Sequence, residues 1–413
     1  MALLRSTILQ RGRTMLTAFY RRLGSNYKDP GRISCVDMTD SGLLIQLNVN
    51  GSEKTHKLPY VYLRDNSQNP DLLTHSRQDR HLFDANIQAT NVQTSDHGQQ
   101  LIITWPDERV SYYPLSWLLQ HLSGSSTISG RLPVERELWT NNSFESTLMK
   151  YDFDDLMSSD SRLLDCLIKL ESCGIILVEN AGLEPRRALS LSDRIAYPKP
   201  VVYGYDVMKL EVKPNASSLA YTNVQIPLHT DMPYCEYVPG ILFLHCIHQV
   251  KGDGGRTMCS DGFHVAEELR IRSPSAFEML SRYPIQFGDA ADDYVGHNID
   301  AMQKPIRLDC MGDIVAIRHN NGVRGSRFPS ELMDRLYDWY DAYYKFSHLM
   351  YDPKYLVEFK LQPGQIAMFD NTRILHGRSR FDLGEGVYRY LEEVYLDWDE
   401  ARSKARVIMG KNN

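Results

Sequence analysis

Short apolar runs of strand length dominate this chain and constrain its fold more than any other feature. After residue 131 they alternate with polar turns: "IILVEN" (175–180), "ILFLHCIHQV" (241–250), "DIVAIRHN" (313–320), "QIAMFD" (365–370) and "YRYLEEVYLDW" (388–398). Two segments show helical spacing of apolar residues, 160–174, which stops at Gly174, and 329–350. The pattern predicts a mainly β fold with flanking helices, of the sandwich or double-sheet jelly-roll type.

A separate group of short runs precedes this region. With 413 residues the chain is too long for one ordinary core and is expected to form about two domains. We predict strands in the runs "GLLIQLNV" (42–49), "LPYVYLRD" (58–65), "QQLIITWPD" (99–107) and "RVSYYPLSWLL" (109–119). The segment "SGSSTISG" has linker composition. The expected organisation is a small β-rich domain at 30–122, a linker at 123–135 and a larger domain at 136–413.

The first 28 residues differ in composition from the rest. They are rich in arginine, the first acidic residue is Asp29, and apolar side chains recur at loosely helical spacing. An amphipathic, arginine-rich and acid-free leader is typical of a mitochondrial transit peptide. Residues 1–28 are therefore predicted to target the protein to the mitochondrial matrix. A disordered basic tail on a cytoplasmic protein is the alternative.

Charge and cysteine usage exclude several functional classes. The net charge is -6 and the pI about 6.1, so no positive field favours nucleic acid. No apolar window approaches the length of a membrane span. The seven cysteines are scattered without a CxxC or CxC pair, which indicates free thiols in a reducing compartment. We therefore expect no nucleic-acid or membrane partner.

The segment "PLHTDMPY" (227–234) carries the chemistry. Residues i and i+2 of a strand point to the same face, so His229 and Asp231 could direct an imidazole and a carboxylate at one point. A second histidine, His376, follows an apolar run far downstream. Two histidines and one carboxylate form the ligand set of ferrous oxygenases, which leaves positions open for a co-substrate and O2.

Arg389 lies 13 residues after His376, beyond the turn "DLGEG" (382–386). A hairpin across that turn could bring the two side chains together. An arginine can form paired hydrogen bonds with a carboxylate in a way that lysine cannot. A di-acid co-substrate could therefore chelate iron at one end and bind Arg389 at the other.

This constellation resembles the iron(II)/2-oxoglutarate dioxygenases. Within them, the chain is similar to the gamma-butyrobetaine and trimethyllysine dioxygenase family, and more to the first branch. The motifs that carry the resemblance span about residues 58–405 and are "YVYLRDN", "ITWPDE", "LAYT", "HTDMP", "PGILFLHCI", "GGRT" with "DGF", "FDNTRILHGR" and "RYLEEVYLDWD". The family implies a double-stranded β-helix (jelly-roll) catalytic domain behind a small N-terminal domain, and a role in carnitine biosynthesis.

The resemblance also implies roles for single residues. His229, Asp231 and His376 match the Fe(2+) ligands, and Arg389 matches the anchor of 2-oxoglutarate, with Thr257 beside it. O2 is the other co-substrate, and ascorbate is the expected reductant. The implied reaction couples decarboxylation of 2-oxoglutarate to hydroxylation of an unactivated C–H bond. The family also implies a homodimer.

A small-molecule substrate that carries a quaternary or smaller amine and a carboxylate follows from the same resemblance. Quaternary ammonium groups are recognised by aromatic faces. Tyr203, Tyr221 and Tyr395 match the family's aromatic cage, and Asn320 matches a residue near the substrate carboxylate.

Two departures from the family pattern matter. The family's small domain binds zinc through a cysteine cluster after "LRDN" and a histidine after "WPDE"; here these places read "SQNPDLLTH" (67–75) and Arg109. We therefore predict no structural zinc, with His75 and His81 at the surface. The cage tryptophan four residues after Tyr203 is replaced by Val207, and a family asparagine is Ser218.

Three interpretations remain open at this stage. The first is a hydroxylase that converts gamma-butyrobetaine to carnitine. The second is a trimethyllysine hydroxylase or a related 2-oxoglutarate oxygenase that acts on another small amine or amino acid. The third is a non-catalytic jelly-roll binding protein, which loss of an iron ligand or of Arg389 would favour; all four residues are present.

Overall fold

The computed structural model describes residues 31–67, 84–122, 130–292, 295–382 and 388–411. The leader at 1–28 and the positions of His75 and His81 lie outside the described residues. The chain forms two compact units, residues 1–126 with 409–413, and residues 127–408.

The described part of the first unit carries two antiparallel three-stranded sheets and two short helices. Its elements are β1 Arg32–Thr39, β2 Gly42–Val49, β3 Ser52–Pro59, α1 Tyr60–Asp65, β4 Asn91–Ser95, β5 Gln100–Thr104, β6 Val110–Pro114 and α2 Leu115–Leu122, with a 3-10 turn at Asp96–Gly98. Inward-facing residues of both sheets, including Leu43, Ile45, Leu101 and Ile103, are fully buried in one cluster.

Two segments of this unit correct the strand predictions. "LPYVYLRD" forms the end of β3 and then α1, and "RVSYYPLSWLL" forms β6 and then α2. In α1 the buried residues are Tyr60, Leu63 and Arg64, which is helical spacing. The Arg64 guanidinium stacks on the Trp105 ring at 5.4 Å and pairs with Asp107 at 2.6 Å, so a charged residue closes the buried face.

The second unit begins with a helical layer and the first strands of a large sheet. These elements are α3 Asn141–Thr147, β7 Met149–Asp152, α4 Phe153–Ser158, α5 Asp160–Cys173, β8 Ile175–Glu179, α6 Arg187–Ile195, β9 Met208–Leu210, a 3-10 turn Leu219–Tyr221, β10 Ile226–His229, β11 Ile241–His248 and β12 Thr257–Asp261. The helix predicted at 160–174 is α5, and Gly174 is its left-handed C-cap.

The remaining elements complete the sheets and add four helices. They are α7 Gly262–Arg272, α8 Pro274–Arg282, β13 Ile285–Ala291, β14 His297–Gln303, β15 Ile306–Leu308, β16 Ile314–Ile317, 3-10 turns Asn321–Val323 and Ser330–Arg335, α9 Leu336–Met350, β17 Val357–Phe359, β18 Ile366–Asp370, β19 Ile374–Arg378, β20 Tyr390–Leu396 and α10 Trp398–Lys411. The mainly β prediction with flanking helices is confirmed. Among the described residues, no helix combines the length and the apolar character that a membrane span requires.

Two sheets of the second unit face each other. In the described residues the minor sheet has the order β10-β19-β12-β17 and the major sheet β7-β8-β18-β11-β20-β9. Side chains of the minor sheet meet side chains of the major sheet across the gap; the ring of His376 on β19, for example, stacks on Phe369 of β18. The interior of this pair of sheets is where the polar residues of interest converge.

A buried ion pair fixes the base of the minor sheet. Arg373, just before β19, donates from Nε and Nη2 to the two carboxylate oxygens of Asp261 at 2.9 and 2.7 Å. Asp261 also caps α7 by accepting from the backbone N–H groups of Phe263 and His264. Both side chains of the pair are at most 1% exposed. The pair therefore sets where β12 ends and where β19 begins.

Gly174 supports the same region and gives a stability prediction. Its φ is +80°, and a Cβ there would lie 2.8 Å from Cδ1 of Ile374, the first residue of β19. Gly174→Ala should lower the free energy of unfolding by about 2 kcal/mol, from left-handed strain and a close contact. Urea unfolding of the purified protein measures this.

The matched control is Gly252→Ala. Gly252 has a φ of +81°, but nothing lies within 4 Å of its Cβ position, so only the backbone term of about 1 kcal/mol applies. Equal stability of the two variants would show that the contact with Ile374 has no cost.

Candidate active site

Two neighbouring strands place two histidines side by side. β10 pairs with β19 antiparallel, and His229 is directly opposite His376 in the register. Their ring centroids are 4.5 Å apart. His229 is the last residue of β10 and His376 the middle residue of β19, so residues 147 positions apart in sequence become neighbours through one strand pairing.

Asp231 lies beyond the end of β10, which corrects the prediction that a strand presents it together with His229. The strand stops at His229, and Met232 has a φ of +52°. The side chain of Asn371 holds this loop: its Oδ1 accepts from Asp231 N at 2.7 Å, and its Nδ2 donates to the carbonyls of Asp231 and Pro239. Hydrogen bonding to Asn371 replaces the strand ladder at this point.

The three side chains converge on one point. Nε2 of His229 is 3.1 Å from Oδ1 of Asp231, and Nε2 of His376 is 3.3 Å from Oδ2. One ligand atom from each residue lies within 4.8 Å of the others, a group that could hold a metal ion. Two imidazoles and one carboxylate on one side fit a ferrous ion with open positions.

Backbone carbonyls orient the two rings. Nδ1 of His229 is 2.8 Å from the carbonyl oxygen of Pro227, and Nδ1 of His376 is 3.4 Å from that of Ile374. When the Nδ1 atoms carry the protons, Nε2 of each ring is left with a lone pair toward the common point. Such hydrogen bonding of the second ring nitrogen is the usual arrangement of metal-binding histidines.

The imidazoles and the carboxylate of the triad stabilise each other's charged forms. Burial alone would raise the pKa of Asp231, but the charges of and hydrogen bonds from the two imidazoles, His376 first, lower it well below its usual value. Burial, the largest single effect, would lower the pKa of His229, but the hydrogen bond to Asp231, the Asp231 charge and the hydrogen bond to the Pro227 carbonyl together outweigh it and raise that pKa. The ionised Asp231 carboxylate therefore lies between two imidazoles, and all three groups could serve as ligands of one metal ion.

The major sheet contributes a tyrosine and a glutamate to the same point. Tyr395 on β20 lies with its hydroxyl 3.2 Å from Oδ2 of Asp231 and 3.1 Å from Oε2 of Glu393. Burial, and then the charge of Asp231, raises the pKa of Glu393 to about 8. Glu393 was not predicted from the sequence. Its position two residues before Tyr395 on β20 places it on the same face, but this indicates a site residue only when Tyr395 is known to face the site.

Arg389 directly precedes β20 of the major sheet, whereas His376 lies on β19 of the minor sheet. The predicted hairpin between them is wrong, because consecutive strands here cross between the facing sheets. Arg389 is 6% exposed, its Nε donates to Oε1 of Gln249 at 3.3 Å, and burial lowers its pKa to about 10. Among the ion pairs of the described residues none includes Arg389, so its guanidinium is available for a ligand carboxylate.

Thr257 and a second arginine lie on the minor sheet. Thr257 is the first residue of β12, is buried, and pairs with Arg378 of β19 in the register. Arg378 donates from Nη2 to the carbonyls of Thr222 and Val224, while its buried Nε makes no hydrogen bond. Burial, and then the charge of Arg389, lowers the pKa of Arg378 to about 9. Two guanidinium groups therefore lie within electrostatic range of each other, an arrangement that favours an anion.

The predicted substrate residues occupy different environments. Tyr395 reaches the triad as described. The hydroxyl of Tyr203 is bonded to Tyr234 and to the carboxylate of Asp289. The Tyr221 ring is buried and carries the Lys213 ammonium 3.7 Å from its centroid. Asn320 accepts from the N–H of Gly322 and caps a 3-10 turn. Of the predicted cage residues, Tyr395 contacts Asp231, whereas the ring of Tyr221 already binds the Lys213 ammonium of the chain itself.

The structure describes some of the residues at which the chain departs from the family pattern. Val207 is buried directly before β9. Arg109 lies beside Asp107 at the β5–β6 turn, with 3.6 Å between Nε and Oδ2. The rest of the predicted zinc-free segment, from residue 68 onward, lies outside the described residues.

Comparison with known proteins agrees with this geometry. Residues 138–395 match the family described as taurine catabolism dioxygenase TauD, TfdA family. Gamma-butyrobetaine dioxygenase of Homo sapiens is 31% identical over 365 residues, which is 86% of this chain and 92% of the relative. The protein of the same name from Pseudomonas sp. (strain AK-1) is 30% identical over 84% of this chain and 89% of its own length.

A second branch is more distant. Mitochondrial trimethyllysine dioxygenase of Bos taurus is 28% identical over 85% of this chain and 83% of its own length. The resemblance to the gamma-butyrobetaine and trimethyllysine dioxygenases, with the first branch more similar, is confirmed.

Proposed function

Because the chain belongs to the taurine catabolism dioxygenase TauD, TfdA family, we propose that it is an iron(II)- and 2-oxoglutarate-dependent hydroxylase that converts gamma-butyrobetaine to carnitine. The observation that carries the proposal is the convergence of His229, Asp231 and His376 on one point between two facing sheets. These sheets support a double-stranded β-helix arrangement of the catalytic unit.

The three side chains would hold the metal through Nε2 of each histidine and one carboxylate oxygen of Asp231. The chemistry supplied by a ferrous ion bound there is the O2-driven decarboxylation of 2-oxoglutarate, coupled to hydroxylation of a substrate C–H bond. The role of the chain is to bind 2-oxoglutarate and the substrate in the correct relative positions and to exclude water. The buried rings of Phe369 and Tyr395 supply an apolar wall for that purpose.

Arg389 would bind the far carboxylate of 2-oxoglutarate. It is buried, has a positive charge and lacks an acidic partner among the described ion pairs, so a carboxylate there would remove the cost of its burial. Gln249 fixes the guanidinium through Nε, which leaves the Nη groups for a two-point contact. Thr257 at the start of β12 would add a hydroxyl donor, and Arg378 adds positive charge nearby.

The substrate would lie toward the tyrosines. Tyr203, Tyr221 and Tyr395 would surround the trimethylammonium group, each ring contributing about 0.5–2 kcal/mol. Asn320 would bind near the substrate carboxylate. For Tyr221 this requires the substrate cation to share or displace Lys213, which occupies one face of the ring.

Several further properties belong to the same proposal. The leader and the mitochondrial relative support a mitochondrial matrix location. We also propose a homodimer, ascorbate as the reductant that keeps the iron ferrous, and a small domain without structural zinc. Metal analysis after purification tests the last point: one zinc per chain would contradict it.

The proposal is tested by succinate release from 2-oxoglutarate with a panel of amines. Gamma-butyrobetaine should stimulate release strongly, and trimethyllysine and smaller amines weakly. If trimethyllysine or a smaller amine stimulates succinate release most strongly, that amine is the substrate and gamma-butyrobetaine is not. Iron-dependent release that no amine stimulates would contradict hydroxylation of the whole class.

A further inference from the structure

A cluster of four polar side chains extends from the active site to the β13–β14 hairpin. It consists of Tyr203, Tyr234, Asp289 on β13 and His297 on β14. The Tyr203 hydroxyl donates to Asp289, and since that uses its only proton, Tyr234 must donate to Tyr203. Nε2 of His297 is 3.0 Å from the same Asp289 oxygen, and its ring packs edge-on against Tyr203 at 5.2 Å.

The cluster is connected to the metal-binding triad. Tyr234 comes three residues after Asp231 and is buried. Its hydroxyl is bonded to that of Tyr203, so the loop that carries Asp231 also carries the first residue of the cluster. Tyr203 and Tyr395 are both predicted to bind the substrate cation, and the Tyr395 hydroxyl contacts Asp231 directly.

The hairpin orients Asp289 by its own register. Asp289 pairs with Ile299 across β13–β14, and His297 pairs with Ala291 at the hairpin end. The His297 side chain is 4% exposed and its Nδ1 is 3.0 Å from the carbonyl of Val295, so both ring nitrogens have defined neighbours. His297 thus holds the carboxylate against the Tyr203 hydroxyl.

Such a carboxylate affects the recognition of a cation. A phenol that donates its proton toward a carboxylate has a more electron-rich ring, and the carboxylate adds its own field. Both effects favour a positive charge on the ring face. The residue expected to supply a fourth ring is Val207 here, which cannot make this contribution.

We propose that Asp289, positioned by His297, makes the pocket of Tyr203, Tyr221 and Tyr395 selective for a cation. Asp289 would thereby replace the contribution of the aromatic ring that is absent at Val207. The proposal rests on the proposed function, because it assigns this pocket to the substrate ammonium group. Asp289 acts through Tyr203 and is a positioning residue with a charge contribution, and it does not contact the reacting atoms.

The test compares a ligand that carries an ammonium group with an isostere that lacks the ammonium charge. Gamma-butyrobetaine and 5,5-dimethylhexanoate have the same shape, but the second has a carbon in place of the ammonium nitrogen. Asp289→Asn keeps the hydrogen-bond acceptor and removes the charge. It should raise the KM for gamma-butyrobetaine about tenfold, with a much smaller change in kcat, and leave the calorimetric Kd of 5,5-dimethylhexanoate near its wild-type value.

The controls separate charge from structure. Asp300→Asn changes a carboxylate on the same hairpin that pairs with Arg327 at the surface, and it should leave the cation preference unchanged. Asp289→Glu should restore part of the preference. An Asp289→Asn protein that retains the wild-type ratio of the two Kd values would overturn the inference, as would equal weakening of both ligands.

The same titrations distinguish failure of the inference from failure of the proposed function. If the wild-type protein prefers the cation and Asp289→Asn loses that preference, but no carnitine forms, the inference holds and the proposed substrate is wrong. If the wild-type protein binds the two ligands equally well, the inference is wrong whatever the product.

Discussion

Replacing His376 by alanine is expected to reduce gamma-butyrobetaine-dependent succinate formation by more than about 100-fold, since loss even of residues that only support metal ligands costs 10–100-fold. The substitution removes one of the three donor atoms around the common point. The remaining pair, His229 and Asp231, would hold iron weakly. Anaerobic iron titration followed by turnover measures both effects on one sample.

His348→Ala is the matched control, because His348 is exposed on α9. It should bind one equivalent of iron and turn over like the wild-type protein. Circular dichroism of both variants checks that the fold is retained. Near-normal turnover of the His376→Ala protein would contradict the ligand assignment.

Arg389→Lys is expected to raise the KM for 2-oxoglutarate about 10–100-fold, with a smaller effect on the KM for the amine. Lysine keeps the charge but has no fork for two parallel hydrogen bonds with a carboxylate. It also loses the Nε contact with Gln249, so the charge is no longer held in place. Initial rates at varied 2-oxoglutarate concentration give the result.

Arg256→Lys serves as the control for this substitution. Arg256 lies directly before β12 and pairs with Glu358 at 3.5 Å, and it is partly exposed. The KM of the Arg256→Lys protein for 2-oxoglutarate should stay within a factor of about two of the wild-type value, as for most surface substitutions. An unchanged KM in Arg389→Lys would exclude Arg389 as the co-substrate anchor.

The sequence predicted the residue types of the site better than the backbone elements that position them. His229, Asp231 and His376 were selected because their residue types suit ferrous iron, and the structure does bring them together. The backbone geometry that positions these residues and Arg389 differs in part from the predicted one. Asp231 is positioned by Asn371, and not by a strand, and Arg389 precedes a strand of the sheet opposite to that of His376. Pattern alone does not reveal which sheet a strand joins.

Local pattern was also insufficient in the small unit. The segment at 58–65 alternates like a strand and is rich in aromatic and branched residues, yet most of it is helical because Tyr60, Leu63 and Arg64 bury one helical face. Arg64 counted as polar in the sequence, and only its packing on Trp105 makes it part of the buried face. Tertiary contacts thus decided the secondary structure there.

Residues without a family role could not be found from sequence. Glu393, Asp289 and His297 have common residue types at unremarkable spacings, and their importance comes from strand register. Glu393 enters the site because it shares a face of β20 with Tyr395, and Asp289 because the hairpin places it at the Tyr203 hydroxyl.

The measurement that tests the account most directly is product analysis under isotopically labelled O2. Purified protein with Fe(II), ascorbate, 2-oxoglutarate and gamma-butyrobetaine should form carnitine that carries one labelled oxygen atom, with one succinate for each carnitine. Carnitine without the label, or succinate formed at the same rate whether or not gamma-butyrobetaine is present, would contradict the account.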